Sequence, residues 1–128
     1  MWTFKQANGQ FRHDGNLVAT GYAGRDAGKN NPAMENVKGI GPLPAGRYKA
    51  VELIEVHPKL GKYVIHLVPD EDTRKKIVGY GRDPDSFFEH GDSKEHPGLA
   101  SHGCICVELA ARMKFWKSPD DDKWVSVF

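Results

Sequence analysis

Between positions 90 and 106 the chain reads His90-Gly91, a polar stretch, then Ser101-His102-Gly103-Cys104-Ile105-Cys106. A thiol attacks a carbonyl as the thiolate. That chemistry needs a base to take the proton, main-chain donors to hold the oxyanion, and a tight turn that exposes the sulfur. His90, His96 and His102 are candidate bases, Gly103 permits a sharp approach just before Cys104, and the amides around Cys104 are candidate oxyanion donors. Imidazole beside a thiol favours ionisation near neutral pH. The pattern points to covalent catalysis by Cys104.

Cys106 follows two residues later, so on a strand it shares a side with Cys104, and quiet packing accounts for it. Such close cysteines exclude an ordinary structural disulfide between them, and two are too few for a disulfide framework. His90, His96, His102, Cys104 and Cys106 would also suit zinc, but their spacing matches no common finger or ribbon. The rival functions are therefore a small zinc-binding module or a non-catalytic interaction module using the long loop described below. No cofactor is expected for the catalytic reading. A papain-like order, with the nucleophile ahead of its base, is excluded because no His follows Cys104.

The elements that must position these residues are mostly strands. Trp2 to Lys5 and Gln10 to His13 alternate around Asn8-Gly9, and Asp14-Gly15 leads into Leu17 to Thr20, a meander of hairpins. From Gly21 to Gly46 periodicity is lost, and a loop of that length in a small domain is functional or mobile. Arg47 to Val56 and Lys62 to Val68 are the densest β-branched and aromatic runs and are expected at the centre of the sheet, joined by a turn at His57 to Gly61. Phe87-Phe88 delivers the chain to His90, and Trp124 to Phe128 alternates as a last strand. One helix is expected, over Glu108 to Lys117, with Leu109, Met113 and Trp116 as its core stripe and Ser118-Pro119 as its stop.

At 128 residues the chain fits one domain, taken here as 1–128. The fold class expected is mainly β, a β-rich α+β domain. Lys and Arg number 18 against 17 Asp and Glu, so no charge excess favours a nucleic-acid partner. No apolar run reaches the roughly 18 residues that cross a bilayer, so no membrane span is expected. Met1 to Lys5 lacks the charged-then-apolar order of a signal peptide, and the chain is expected to be made in the bacterial cytoplasm without general secretion.

His90-Gly91 followed by Ser101-His102-Gly103-Cys104-Ile105 resembles the signature of the YkuD-type L,D-transpeptidases, and Gly41-Pro42-Leu43-Pro44-Ala45-Gly46-Arg47-Tyr48 is similar to a segment that opens a strand in that family. The resemblance implies an L,D-transpeptidase-like β-sandwich with Cys104 as the acylated nucleophile. It makes His90 the general base, with the Gly91 carbonyl orienting its ring, and gives Ser101, His102 and Gly103 the shaping of the pocket. The implied substrates are peptidoglycan tetrapeptide stems. An acyl-enzyme would lose the terminal D-amino acid and pass to an amine, as a transpeptidase, or to water, as a carboxypeptidase. Where the family carries Arg two residues after the nucleophile this chain has Cys106, leaving Arg47, Arg82 and Lys94 as candidates to hold a substrate carboxylate. The small size and the loop from Gly21 to Pro32 resemble the compact effectors exported by type VI secretion. That resemblance implies action in a target cell's periplasm, secretion machinery and a cognate immunity protein as partners.

Overall fold

Alternation of Trp2, Phe4 and Phe11 with polar neighbours gives each N-terminal strand one face that must leave water, and all three rings are fully buried. A computed structural model describes residues 1–128. Strands β1 (Trp2–Phe4), β2 (Gln10–His13) and β3 (Asn16–Thr20) form the expected antiparallel meander. The remaining strands are β4 (Tyr22–Ala23), β5 (Gly46–His57), β6 (Gly61–Pro69), β7 (Phe88–His90), β8 (Ile105–Cys106) and β9 (Trp124–Val127). Together they build one mixed nine-stranded sheet in the order β3-β2-β1-β9-β5-β6-β7-β8-β4. The domain is mainly β, and β5 and β6 lie at its centre as their composition requires.

Two pairings in the sheet are parallel. β9 returns beside β1 with Trp2 opposite Val125, and β8 lies beside β7 with His90 opposite Cys106. Seventeen buried apolar residues form one core, with Tyr48, Ile65, Leu67, Ile105 and Val125 from the sheet and Phe115 from the helix that follows Cys106. Phe115 sits edge-on to Trp2 and Phe11, which ties that helix to the meander.

Helix α1 (Glu71–Gly79) was not expected from the sequence; α2 (Leu109–Trp116) was. The signals for α1 are local: the Asp70 carboxylate accepts from the Thr73 amide, Glu71 and Asp72 sit in the first turn, and Tyr80-Gly81 follows. Its apolar face is only Ile77, too little for a periodic stripe to show. The stripe proposed for α2 is offset. Leu109 is exposed, and the buried face is Ala111, Arg112 and Phe115, with Trp116 half-buried against the core. An Arg on the buried face hid the period: its guanidinium donates to the Val107, Lys62 and Tyr63 carbonyls and crosses to the sheet. No helix is long and apolar enough to cross a membrane.

Candidate active site

Ser101 is fully buried and its hydroxyl organises the turn before β8. The oxygen donates to the Cys104 carbonyl at 2.7 Å and accepts from the Gly103 amide at 3.1 Å and the Gly24 amide at 2.9 Å. That is the full capacity of a hydroxyl. Gly103 has φ +131°, a conformation that L side chains rarely adopt, and a Cβ there would stand 2.5 Å from Nη2 of Arg82. Its carbonyl accepts from the Leu43 amide at 2.8 Å. The Gly21 to Gly46 loop is therefore the cradle of the cysteine turn, ordered by β4, which pairs with β8, and by short 3-10 turns at 26–28 and 32–34.

Cys104 forms part of the wall of a cavity of about 310 Å³ with Lys38, Arg82, Phe87 and His102. Its thiol donates to the Ser86 carbonyl at 3.8 Å. Burial pushes the thiol up to about 11, opposed by the Phe88 amide and the Arg82 guanidinium, both of which favour the thiolate. At rest the group is a protonated thiol.

His90 ends β7 and is 1% exposed. Nδ1 lies 2.8 Å from the Gly91 carbonyl, which can only accept, so the proton sits on Nδ1 and Nε2 carries the free lone pair. Nε2 is buried without a partner. Burial lowers the pKa of the ring, which keeps it neutral and in the form that accepts a proton. Gly91 is confined as well, since a Cβ there would meet Nη2 of Arg112 at 2.8 Å.

The parallel register places Cys106, not Cys104, opposite His90, and no hydrogen bond joins His90 to Cys104. His90 instead lines a larger cavity of about 650 Å³ with Arg25, Lys59, Gly91, Asp92 and His96. The exposed His102 borders both cavities, and Arg25 donates to its Nε2 at 3.3 Å. His90 and Gly91 thus line one cavity and Cys104 another, the two sharing His102, while Ser101 and Gly103 lie in the buried turn before β8 and line neither. His96 lies on the outer wall of the larger one.

Of the cations considered for a substrate carboxylate, Arg82 alone reaches the Cys104 cavity, whereas Arg47 lies over the Trp124 ring and Lys94 is exposed on the 91–100 loop. No group of three or more His, Cys, Asp or Glu side chains is arranged to hold a metal ion, so the geometry gives the zinc alternative no support. Cys106 is buried in a separate hollow with Tyr22 and Asp92, and burial pushes its thiol up to about 11.

The Tlde1 domain model matches residues 18–121, which include the cradle loop, both cavities and the cysteine turn. The chain belongs to the Tlde1 domain family. This is a family of type VI secretion L,D-transpeptidase effector-like domains, so the effector resemblance stands at the level of the family. No curated protein matches the chain. Two arrangements of this Tlde1 domain escaped the sequence: the main-chain clamp on Arg82, which the sequence singles out only as a candidate for a substrate carboxylate, and Tyr22, whose hydroxyl donates to Asp92 at 2.7 Å and accepts from the Ala100 amide at 2.9 Å. Tyr22 fastens both ends of the loop between His90 and Cys104. Sequence spacing carries no trace of either contact, since their partners lie 70 or more and about 40 residues away.

Proposed function

We propose that this Tlde1 domain is a cysteine-dependent L,D-transpeptidase or L,D-carboxypeptidase acting on peptidoglycan tetrapeptide stems, as the YkuD-type pattern implies. The observation that carries the reading is the pair of states set by burial: a turn-mounted thiol at Cys104 beside a cavity, and a neutral His90 with its Nε2 lone pair unpartnered. In the reaction Cys104 leaves the Ser86 carbonyl, His90 takes its proton, and the sulfur attacks the carbonyl of the residue preceding the terminal D-amino acid. The tetrahedral intermediate collapses to an acyl-enzyme as His90 protonates the departing amine. An incoming amine or water then takes the acyl group and regenerates the thiol. Catalytic hydrogen bonds commonly tighten only when substrate is bound, which accommodates the unjoined resting pair. His102, on the wall between the cavities, contacts the substrate from the side and shapes where the acceptor enters. Action on a target cell's envelope, delivery by the secretion machinery and an immunity protein follow as the biological setting of the same reading.

The deciding experiment is mass spectrometry of purified tetrapeptide-stem muropeptides incubated with the wild type, Cys104→Ala and Cys106→Ser. Wild type and Cys106→Ser should remove the terminal D-amino acid, or exchange it for an added one, and Cys104→Ala should do neither. Muropeptides left intact by folded, reduced wild type would refute the reading. Activity that survives in Cys104→Ala but disappears in Cys106→Ser would move the nucleophile to the residue that faces His90 in register.

A further inference from the structure

Arg82 follows α1 and is only 6% exposed, yet none of its hydrogen bonds goes to a carboxylate. Nη1 donates to the Glu35 and Pro42 carbonyls at 2.7 and 2.8 Å, and Nη2 to the Gly41 carbonyl at 3.1 Å. The guanidinium lies over the Phe87 ring, 5.2 Å from its centroid, and packs against Gly103, the residue before the nucleophile. Glu35 spends its carboxylate elsewhere, accepting from Gln6, the Ala45 amide and Tyr80 and pairing with Lys76, and Asp83, which lines the same cavity as Arg82 and Cys104, makes no hydrogen bond to the guanidinium. Taking a guanidinium out of water costs several kcal/mol, and carbonyl dipoles fix its position without cancelling its charge. A charge kept at that cost, immobile beside a thiol, has an evident use.

We infer that Arg82 is a positioning residue for Cys104, its immobilised charge easing formation of the thiolate while its three-carbonyl clamp seats the Gly103 turn. The inference rests on Cys104 being the nucleophile of the proposed reaction. The mutual influence runs as it must: the guanidinium favours the Cys104 thiolate, and Cys104 favours the charged guanidinium. With its fork occupied by main-chain carbonyls, Arg82 is not free to swing out and grip a substrate carboxylate. Its role is to act on the sulfur.

The test reads thiol chemistry directly. Iodoacetamide alkylation of Cys104 is followed by mass spectrometry from pH 7 to 9 in a Cys106→Ser background, with Arg82, Arg82→Gln and Arg82→Lys compared and folding verified by near-UV circular dichroism. The thiolate displaces iodide, a C–S bond forming as the C–I bond breaks, and the thiol proton goes to solvent, so the rate follows the thiolate fraction. Arg82→Gln should slow alkylation about tenfold at fixed pH, one unit of thiol pKa, and Arg82→Lys should recover most of that loss. An unchanged rate in folded Arg82→Gln, or equal slowing in both variants, would overturn the inference. Lys38→Gln removes the other cation of the cavity and leaves the Arg82 clamp intact, so it serves even where the Arg82 variants do not fold. It should change the rate less than about twofold, and slowing by about tenfold would assign the field to Lys38 instead. Iodoacetamide is not a stem peptide, so failure of muropeptide turnover leaves this readout standing.

Discussion

Ser101 uses every hydrogen-bonding position of its hydroxyl on the Cys104 turn and the cradle loop, with no surface exposed. Replacing it with Ala leaves two amides and a carbonyl buried without that partner. Ser101→Ala should therefore cost roughly 2–3 kcal/mol in a denaturant melt. Because the displaced groups belong to the turn of the proposed nucleophile, kcat should fall about a hundredfold in the muropeptide assay. A stable variant of full activity would reduce Ser101 to packing. The protonation states make a separate prediction. Burial lowers His90 below the ordinary imidazole value of 6.5 while Cys104 rises to about 11, so the resting pair is neutral thiol and neutral imidazole, not an ion pair. The base form of His90 persists below pH 6.5, and kcat/KM should climb through a pKa under that value and be flat across neutrality. A half-maximum at or above 6.5 would show that another group takes the proton.

Strands β7 and β8 are short, three and two residues, but their parallel pairing sets the geometry of the site. Parallel alignment returns the chain to the start of β7 before β8 begins, which brings Cys104 beside Ser86 and sets Cys106 opposite His90. The intervening loop is held by Asp92, whose carboxylate accepts from Tyr22 and from the Ser93 and Gly98 amides. Helix α1 carries Arg82 to its clamp, and its start depends on the Asp70 cap. Asp70→Ala should destabilise the domain by about 1 kcal/mol at neutral pH. The Thr73 side chain, together with the capping bond from its amide, holds the Asp70 carboxyl below its ordinary value. The stabilisation is therefore present above pH 3.8 and fades as pH falls through the lowered folded value, so the variant and wild type should converge in acid. Thermal melts from pH 2 to 7 would check it, and a constant difference across that range would exclude the cap as the cause.

At the scale of the molecule the sheet carries one unexplained cost. Glu89 alternates with His90 on β7, pairs in register with the core residues Ile65 and Ile105, and leaves both carboxylate oxygens buried without a partner. Burial pushes it up to about 8, partly offset by Arg112. Between the ordinary value of 4.5 and about 8 the unfolded chain has lost this proton and the folded chain keeps it, so this group's stabilisation is lost as pH rises through that window. Glu89→Leu removes the orphaned acid and should raise stability at pH 8 by roughly 1–3 kcal/mol. It should also flatten the fall in melting temperature between pH 5 and 8. A variant that keeps the wild-type slope would place the pH dependence elsewhere.

The strand alternations, the central runs of β5 and β6, the terminal strand and the His-Gly and Ser-His-Gly-Cys motifs were legible because each depends on neighbours within a few residues. Turn chemistry and period-two burial act locally, and the effector family was read from the small size and the loop from Gly21 to Pro32. Helix α1 was obscured because its stability comes from a cap and one buried Ile77, not from a stripe, and α2 was misaligned because Arg112 buries its charge on carbonyls of a distant hairpin. The site shows the same division. The sequence determined which side chains are candidates for chemistry, since residue type fixes nucleophilicity and basicity. Only the tertiary structure decided their states and relations: that Ser101 is a structural hub, that His102 divides two cavities, that Cys106 faces His90, and that Arg82 arrives beside Cys104. Those depend on parallel register, burial and long-range hydrogen bonds, which join residues that spacing along the chain leaves unrelated.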